Sequence, residues 1–96
     1  MKLSSETLTV LKNYASINSN MVFRGGNTIK TMAEAKNILA TATVEEDFPH
    51  SSFGIYDLNE FLSAIEMFKD PDLVFADDMN SVIIKEGNRS IRYLFS

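Results

Sequence analysis

Two helical segments of this chain are each followed by the same run of strands at a nearly constant spacing, and that repeat constrains the fold more than any other feature of the sequence. Both segments carry the three- and four-residue apolar spacing of a helix with one buried face. In "SSETLTVLKNYASI", residues 4–17, Ser4 or Ser5 serves as the cap, Leu8, Leu11 and Ala15 form one line, and Val10, Tyr14 and Ile17 lie beside it. In "SFGIYDLNEFLSAIEMF", residues 52–68, an apolar strand-like run passes into a helix with no break at the corner. Asp57 is the natural N-cap there, its carboxylate accepting a free first-turn N–H, and Leu58, Phe61, Leu62, Ile65 and Phe68 follow on one face.

After the first helix, "NMVFRGGNTIKTM" predicts two short strands in a hairpin around Gly25-Gly26, and "NILATATVEEDF" predicts a third strand. After the second, "DPDLVF", "NSVIIKEG" and "RSIRYLFS" predict three more, separated by "ADDMN" and by Glu86-Gly87-Asn88. Aligning the helices brings "MVF" at 21–23 onto "LVF" at 73–75, "NTIK" at 27–30 onto "NSVIIK" at 80–85, and "NIL" at 37–39 onto "SIR" at 90–92, an offset of 52–53 residues. Met1–Leu3 then stands for the opening strand of the first half and Phe53–Tyr56 for that of the second. The expectation is an α+β domain of two strand-helix-three-strand halves, about 1–48 and 49–96. Their two helices lie side by side on one face of an antiparallel sheet, where both bury their apolar sides.

Ninety-six residues make one domain near the lower end of the size that buries a self-sufficient core. There is no cysteine, so disulfides and thiolate metal sites are excluded. "MKLSSETLTV" lacks the continuous apolar core of a signal peptide, and no run approaches the eighteen or so apolar residues of a membrane span, so the chain reads as soluble and intracellular, with no membrane partner. A net charge of −4 argues against holding nucleic acid by sheer positive charge. The acidic pairs Glu45-Glu46 and Asp77-Asp78 read as solvated turns or strand ends.

"MKLSSETLTVLKNYASINSNM" at the start and "IYDLNEFLSAI" at 55–65 resemble the N-terminal domain of the sliding clamps of T-even-type bacteriophages, most specifically in "KLS", "VLKN" at 10–13, "INS" at 17–19 and "IYDLN" at 55–59. The resemblance runs over essentially the whole chain, matching only in pattern through the strand-rich middle and the last thirty residues. It rests on structural residues, with no catalytic signature among them. It implies a non-enzymatic processivity factor without cofactor, active in the cytoplasm of an infected host cell. Such clamps are closed rings of three two-domain subunits that encircle duplex DNA, tether the replicative polymerase and depend on a clamp loader. A whole subunit is roughly twice as long, and this chain stops within "SIRYLFS", so it reads as one domain or a fragment of such a subunit.

The resemblance turns the exposed helix faces toward DNA. The first offers Ser5, Thr9, Lys12, Asn13 and Ser16, a polar and weakly basic line suited to water-mediated sliding past phosphates. Of these, Lys12, Asn13 and Ser16 are candidate DNA-facing residues, together with Lys2 and Lys69. The second helix exposes Asn59, Glu60, Ser63 and Glu66, whose carboxylates repel phosphate. Any solvated helix shows such faces, and the competing reading is a small α+β interaction domain that dimerises through edge strands and never meets DNA. A metal-dependent hydrolase would need the one histidine, His50, within reach of two of Glu45, Glu46 and Asp47, but no H-E-x-x-H or comparable ligand spacing is present. "RGGN" lacks the Lys-Ser/Thr and the helix of a phosphate-binding loop.

Overall fold

A computed structural model describes residues 1–96. The element order is α1 (Ser5–Ala15), β1 (Met21–Phe23), β2 (Gly26–Met32), β3 (Leu39–Phe48), β4 (Phe53–Ile55), α2 (Leu58–Glu66), β5 (Asp72–Phe75), β6 (Ser81–Glu86) and β7 (Arg89–Leu94). The class is α+β, with two helices and only antiparallel pairing. The strands are distributed over three ladders: β1-β4, β2-β3 and β5-β6-β7.

Both helices start where their caps dictate. The Ser4 hydroxyl accepts from the Thr7 N–H, and the Asp57 carboxylate accepts from the Glu60 N–H. The strand-to-helix corner is also tied across the chain, because the first N–H of α2, at Leu58, donates to the Ser19 carbonyl at 2.6 Å. The buried face of α2 is Leu58, Phe61, Leu62 and Ile65, as its spacing predicts. That of α1 is Thr7, Leu11 and Tyr14, with Leu8, Val10, Ala15 and Ile17 half-buried.

Sixteen buried apolar residues drawn from both helices and from strands of all three ladders form one core. Its centre is Phe53, whose ring stacks on Phe23 at 4.8 Å and packs against Phe75 at 5.4 Å and Phe95 at 4.6 Å. Phe48 joins through Phe23 at 4.9 Å. β4 is a short strand, yet it joins the parts: it pairs with β1 (Met21↔Ile55 to Phe23↔Phe53), and Gly54 O accepts from Ser96 N.

The hairpin predicted around Gly25-Gly26 does not form. β1 pairs with β4, while β2 begins at Gly26, opposite Phe48, with a register irregularity between Gly26 and Thr28. The two glycines, at φ of 87° and 78°, instead steer the chain from one ladder into another. Only glycine fits at position 25, since an added Cβ would stand 2.7 Å from both the Pro49 carbonyl oxygen and His50 Cα. β2 turns into β3 through residues 33–38, and β6 turns into β7 through Gly87-Asn88 with Gly87 at φ 62°.

The opening strand expected at Met1–Leu3 is not formed as such, but Met1 exchanges backbone hydrogen bonds with Leu73 on β5, at 2.7 Å and 3.0 Å. Met1 is thus joined to β5 and β4 to β1, each across a long stretch of sequence.

Candidate nucleic-acid interface

α1 and α2 pack against each other, and their outward residues form a polar surface. α1 exposes Ser5, Glu6, Thr9, Lys12, Asn13 and Ser16, and α2 exposes Asn59, Glu60, Ser63, Glu66 and Met67 next to it. The helices are joined across this surface by an ion pair, Lys12 Nζ to Glu66 Oε1 at 2.7 Å. On these two helices the exposed carboxylates of Glu6, Glu60 and Glu66 outnumber the single ammonium of Lys12.

Of the candidate residues, Lys12 and Lys69 line one groove between the helix ends, together with Leu3, Leu8, Ile65, Glu66, Phe68 and Asp70. Lys2 reaches the rim of that groove, donating to the Asp70 carbonyl at 2.8 Å and to its carboxylate at 3.2 Å. Asn13 and Ser16 lie further along α1. There the Ser16 N–H and hydroxyl both donate to the Asn13 carbonyl, closing the helix and leaving the Asn13 side chain on the surface. Lys12 and Lys69 therefore share one groove, Lys2 reaches it only through Asp70 from beyond the start of α1, and Asn13 and Ser16 lie at the C-terminal end of α1 outside the groove lining. Lys2 and Lys12 are each neutralised by a carboxylate, whereas Lys69 makes none of the five ion pairs.

The N-terminal end of α1 holds a residue that the sequence reading assigned to solvent. Glu46, on β3, is buried, and its carboxylate accepts from the Ser4 N–H at 2.6 Å and from the Thr7 hydroxyl at 2.5 Å. The Thr7 hydroxyl also accepts from Ser4 Oγ at 3.0 Å, so the cap serine and the strand glutamate share one network. Burial of Glu46 opposes its ionisation, but the hydrogen bonds from Thr7 and Ser4 outweigh it and hold the carboxyl below the ordinary range. A carboxylate at a helix N-terminus is also favoured by the helix dipole. The sequence signal existed in the alternation of β3, which turns Val44, Glu46 and Phe48 to the same side. Asp77 and Asp78, by contrast, sit in an exposed turn, as expected, with the Asp78 side chain accepting from the Asn80 N–H.

His50 is exposed, and its Nε2 lies 3.4 Å from a single carboxylate, that of Asp47; no group of three or more His, Cys, Asp or Glu side chains is gathered anywhere in the chain. No helix is long and apolar enough to cross a membrane.

No protein-family model matches the chain. Curated proteins do: it is 35% identical over 96 residues to the sliding clamp of Vibrio phage KVP40, covering 100% of this chain and 42% of that protein. It is 39% identical over 70 residues to the sliding clamp of Escherichia phage RB69, covering 73% of this chain and 30% of the relative. A third match, to the sliding clamp of Enterobacteria phage T4, is 32% identical over 93 residues and covers 95% of this chain and 40% of that protein. The chain thus spans about two fifths or less of the length of these relatives.

Proposed function

From a chain related along its whole length to bacteriophage sliding clamps, we propose that it serves as the N-terminal domain of a clamp subunit, a DNA-polymerase processivity factor that acts without catalysis. The observation that carries this reading is the match over all 96 residues to a protein named sliding clamp. The α+β fold with paired helices and a polar outer helical surface agrees with it.

In this reading the α1–α2 surface faces duplex DNA, with Lys2, Lys12, Asn13, Ser16 and Lys69 nearest the phosphates. The strands form the outer wall of a ring of three subunits. Contact with DNA is weak and independent of sequence, because topology retains the ring and few tight bonds are wanted. The replicative polymerase and a clamp loader are the protein partners, and the setting is the cytoplasm of an infected cell.

Retention on circular DNA tests the reading. The chain, completed with a second clamp domain and loaded onto a nicked circle, is expected to stay bound and to leave when the circle is cut. Equal loss from circular and linearised DNA overturns encirclement and favours an interaction domain that does not meet DNA.

A further inference from the structure

Two of the three lysines of the candidate interface are already paired with carboxylates. Lys12 Nζ sits 2.7 Å from a Glu66 carboxylate oxygen, and Lys2 Nζ bonds both the carbonyl and the carboxylate of Asp70. Glu66 lies at the end of α2, and Asp70 lies just beyond it on the segment leading to β5. The pairs are formed between the two halves: residues 2 and 12 belong to the first helix region, residues 66 and 70 to the second. They flank the groove that also holds Lys69, and all four side chains are substantially exposed, so a phosphate could reach either ammonium from solvent.

We infer that Glu66 and Asp70 act as intramolecular stand-ins for DNA phosphate, holding Lys12 and Lys2 in self-neutralised pairs and so setting the grip of this surface on duplex DNA below what its lysines alone would give. The inference rests on the DNA-facing reading above. Exposed ion pairs of this kind are worth little, roughly 0–1 kcal/mol, so a passing phosphate can exchange with the carboxylate at small cost. The result is a surface that trades partners as DNA moves and never holds one phosphate firmly. Lys69, unpaired, is the one cation of the groove that needs no exchange. The two carboxylates are thereby specificity-determining residues, suppressing static binding to free duplex in favour of retention by topology.

The test compares association of the full chain with a short duplex at low ionic strength for wild type, Glu66→Gln, Asp70→Asn, the double variant and a control, Glu34→Gln. Glu34 is exposed on the β2–β3 turn and makes no ion pair, so its substitution changes net charge equally without freeing a lysine. Each interface variant is expected to bind about two- to fivefold tighter than the control, the change that breaking an exposed pair releases. Lys12→Ala is expected to cost more in the Glu66→Gln background than in the wild type. Far-ultraviolet circular dichroism of each variant checks that the fold is retained. If Glu66→Gln and Asp70→Asn bind no better than Glu34→Gln while Lys12→Ala still weakens the wild type, the inference falls and the DNA-facing reading stands. If replacing Lys2, Lys12 and Lys69 together with alanine changes nothing, the reading itself falls and takes the inference with it.

Discussion

At the scale of single residues, Glu46 and Gly25 are the positions where side-chain chemistry and backbone geometry leave least choice. Glu46→Gln removes a carboxylate that accepts from Ser4 N and Thr7 Oγ1, and the neutral amide supplies only one acceptor oxygen. The expected loss is about 1–3 kcal/mol at neutral pH, measured by denaturant unfolding. Its pH dependence has a definite sign. The folded carboxyl ionises below its unfolded value, so its contribution is present above the unfolded value and is lost as pH falls through the folded one. The gap between wild type and variant should therefore close in acid; a gap that stays constant or widens there would contradict the network. Gly25 and Gly26 both have positive φ, but only Gly25 is crowded by neighbouring backbone. Alanine at 26 should cost roughly 1–2 kcal/mol of conformational strain alone, and alanine at 25 distinctly more, because Pro49 and His50 must also move.

At the scale of elements, α2 is the segment whose formation and burial follow from sequence with least help. Phe61→Ala or Leu62→Ala should cost roughly 2–5 kcal/mol, since both side chains are nearly inaccessible and pack into the single core. A loss below about 1 kcal/mol would mean that this face is not core. Phe61 also meets the Tyr93 ring edge-on at 5.1 Å, and the Tyr93 hydroxyl donates to the Asp57 carbonyl at 3.3 Å, so α2 is fixed to β7 at its start as well as along its face. Asp57→Ala should cost about 1 kcal/mol through the lost cap, with a reduced helical signal on thermal unfolding preceding global loss. The β1–β2 segment shows the opposite behaviour. Two glycines between apolar runs satisfy every local rule for a hairpin, yet β1 bonds to β4, thirty residues away, because a short strand takes the partner that buries its phenylalanine.

At the scale of the whole molecule, charge and connectivity bear on the proposed contact with DNA. A net charge of −4 and a helical surface whose lysines are mostly paired predict weak association with linear duplex. About two phosphates neutralised corresponds to a log–log salt slope near −2, measurable by fluorescence anisotropy titrations at several salt concentrations. Lys69→Glu should lower that association most, because Lys69 is unpaired, with Lys12→Glu and Lys2→Glu lowering it less while Glu66 and Asp70 hold those lysines. Micromolar or tighter binding at roughly 0.15 M salt, or a sequence preference, would count against a surface meant for sliding. The strand exchange between the two ends of the chain belongs to this scale too. Applying the 52-residue offset to the Met21↔Ile55 pair would place Leu3 opposite Leu73, whereas Met1 occupies that position. The repeat in element order is therefore accompanied by a two-residue difference in register.

The sequence by itself determined what depends on neighbours within a few residues: both helices, their caps at Ser4 and Asp57, the apolar face of α2, and the existence of every strand from β1 to β7. Helix periodicity and capping are short-range, so they are written locally. It also placed Lys2, Lys12 and Lys69 among the exposed charges, since lysines are seldom buried. Only the tertiary structure decided which strands pair, that Gly25-Gly26 turns a corner between ladders, that Glu46 is drawn under α1, and that Lys12 and Lys2 meet Glu66 and Asp70. Apart from the local β2-β3, β5-β6 and β6-β7 pairings, each of these joins residues more than twenty positions apart, where pairing follows from the competition among all buried surfaces for one core rather than from any local preference.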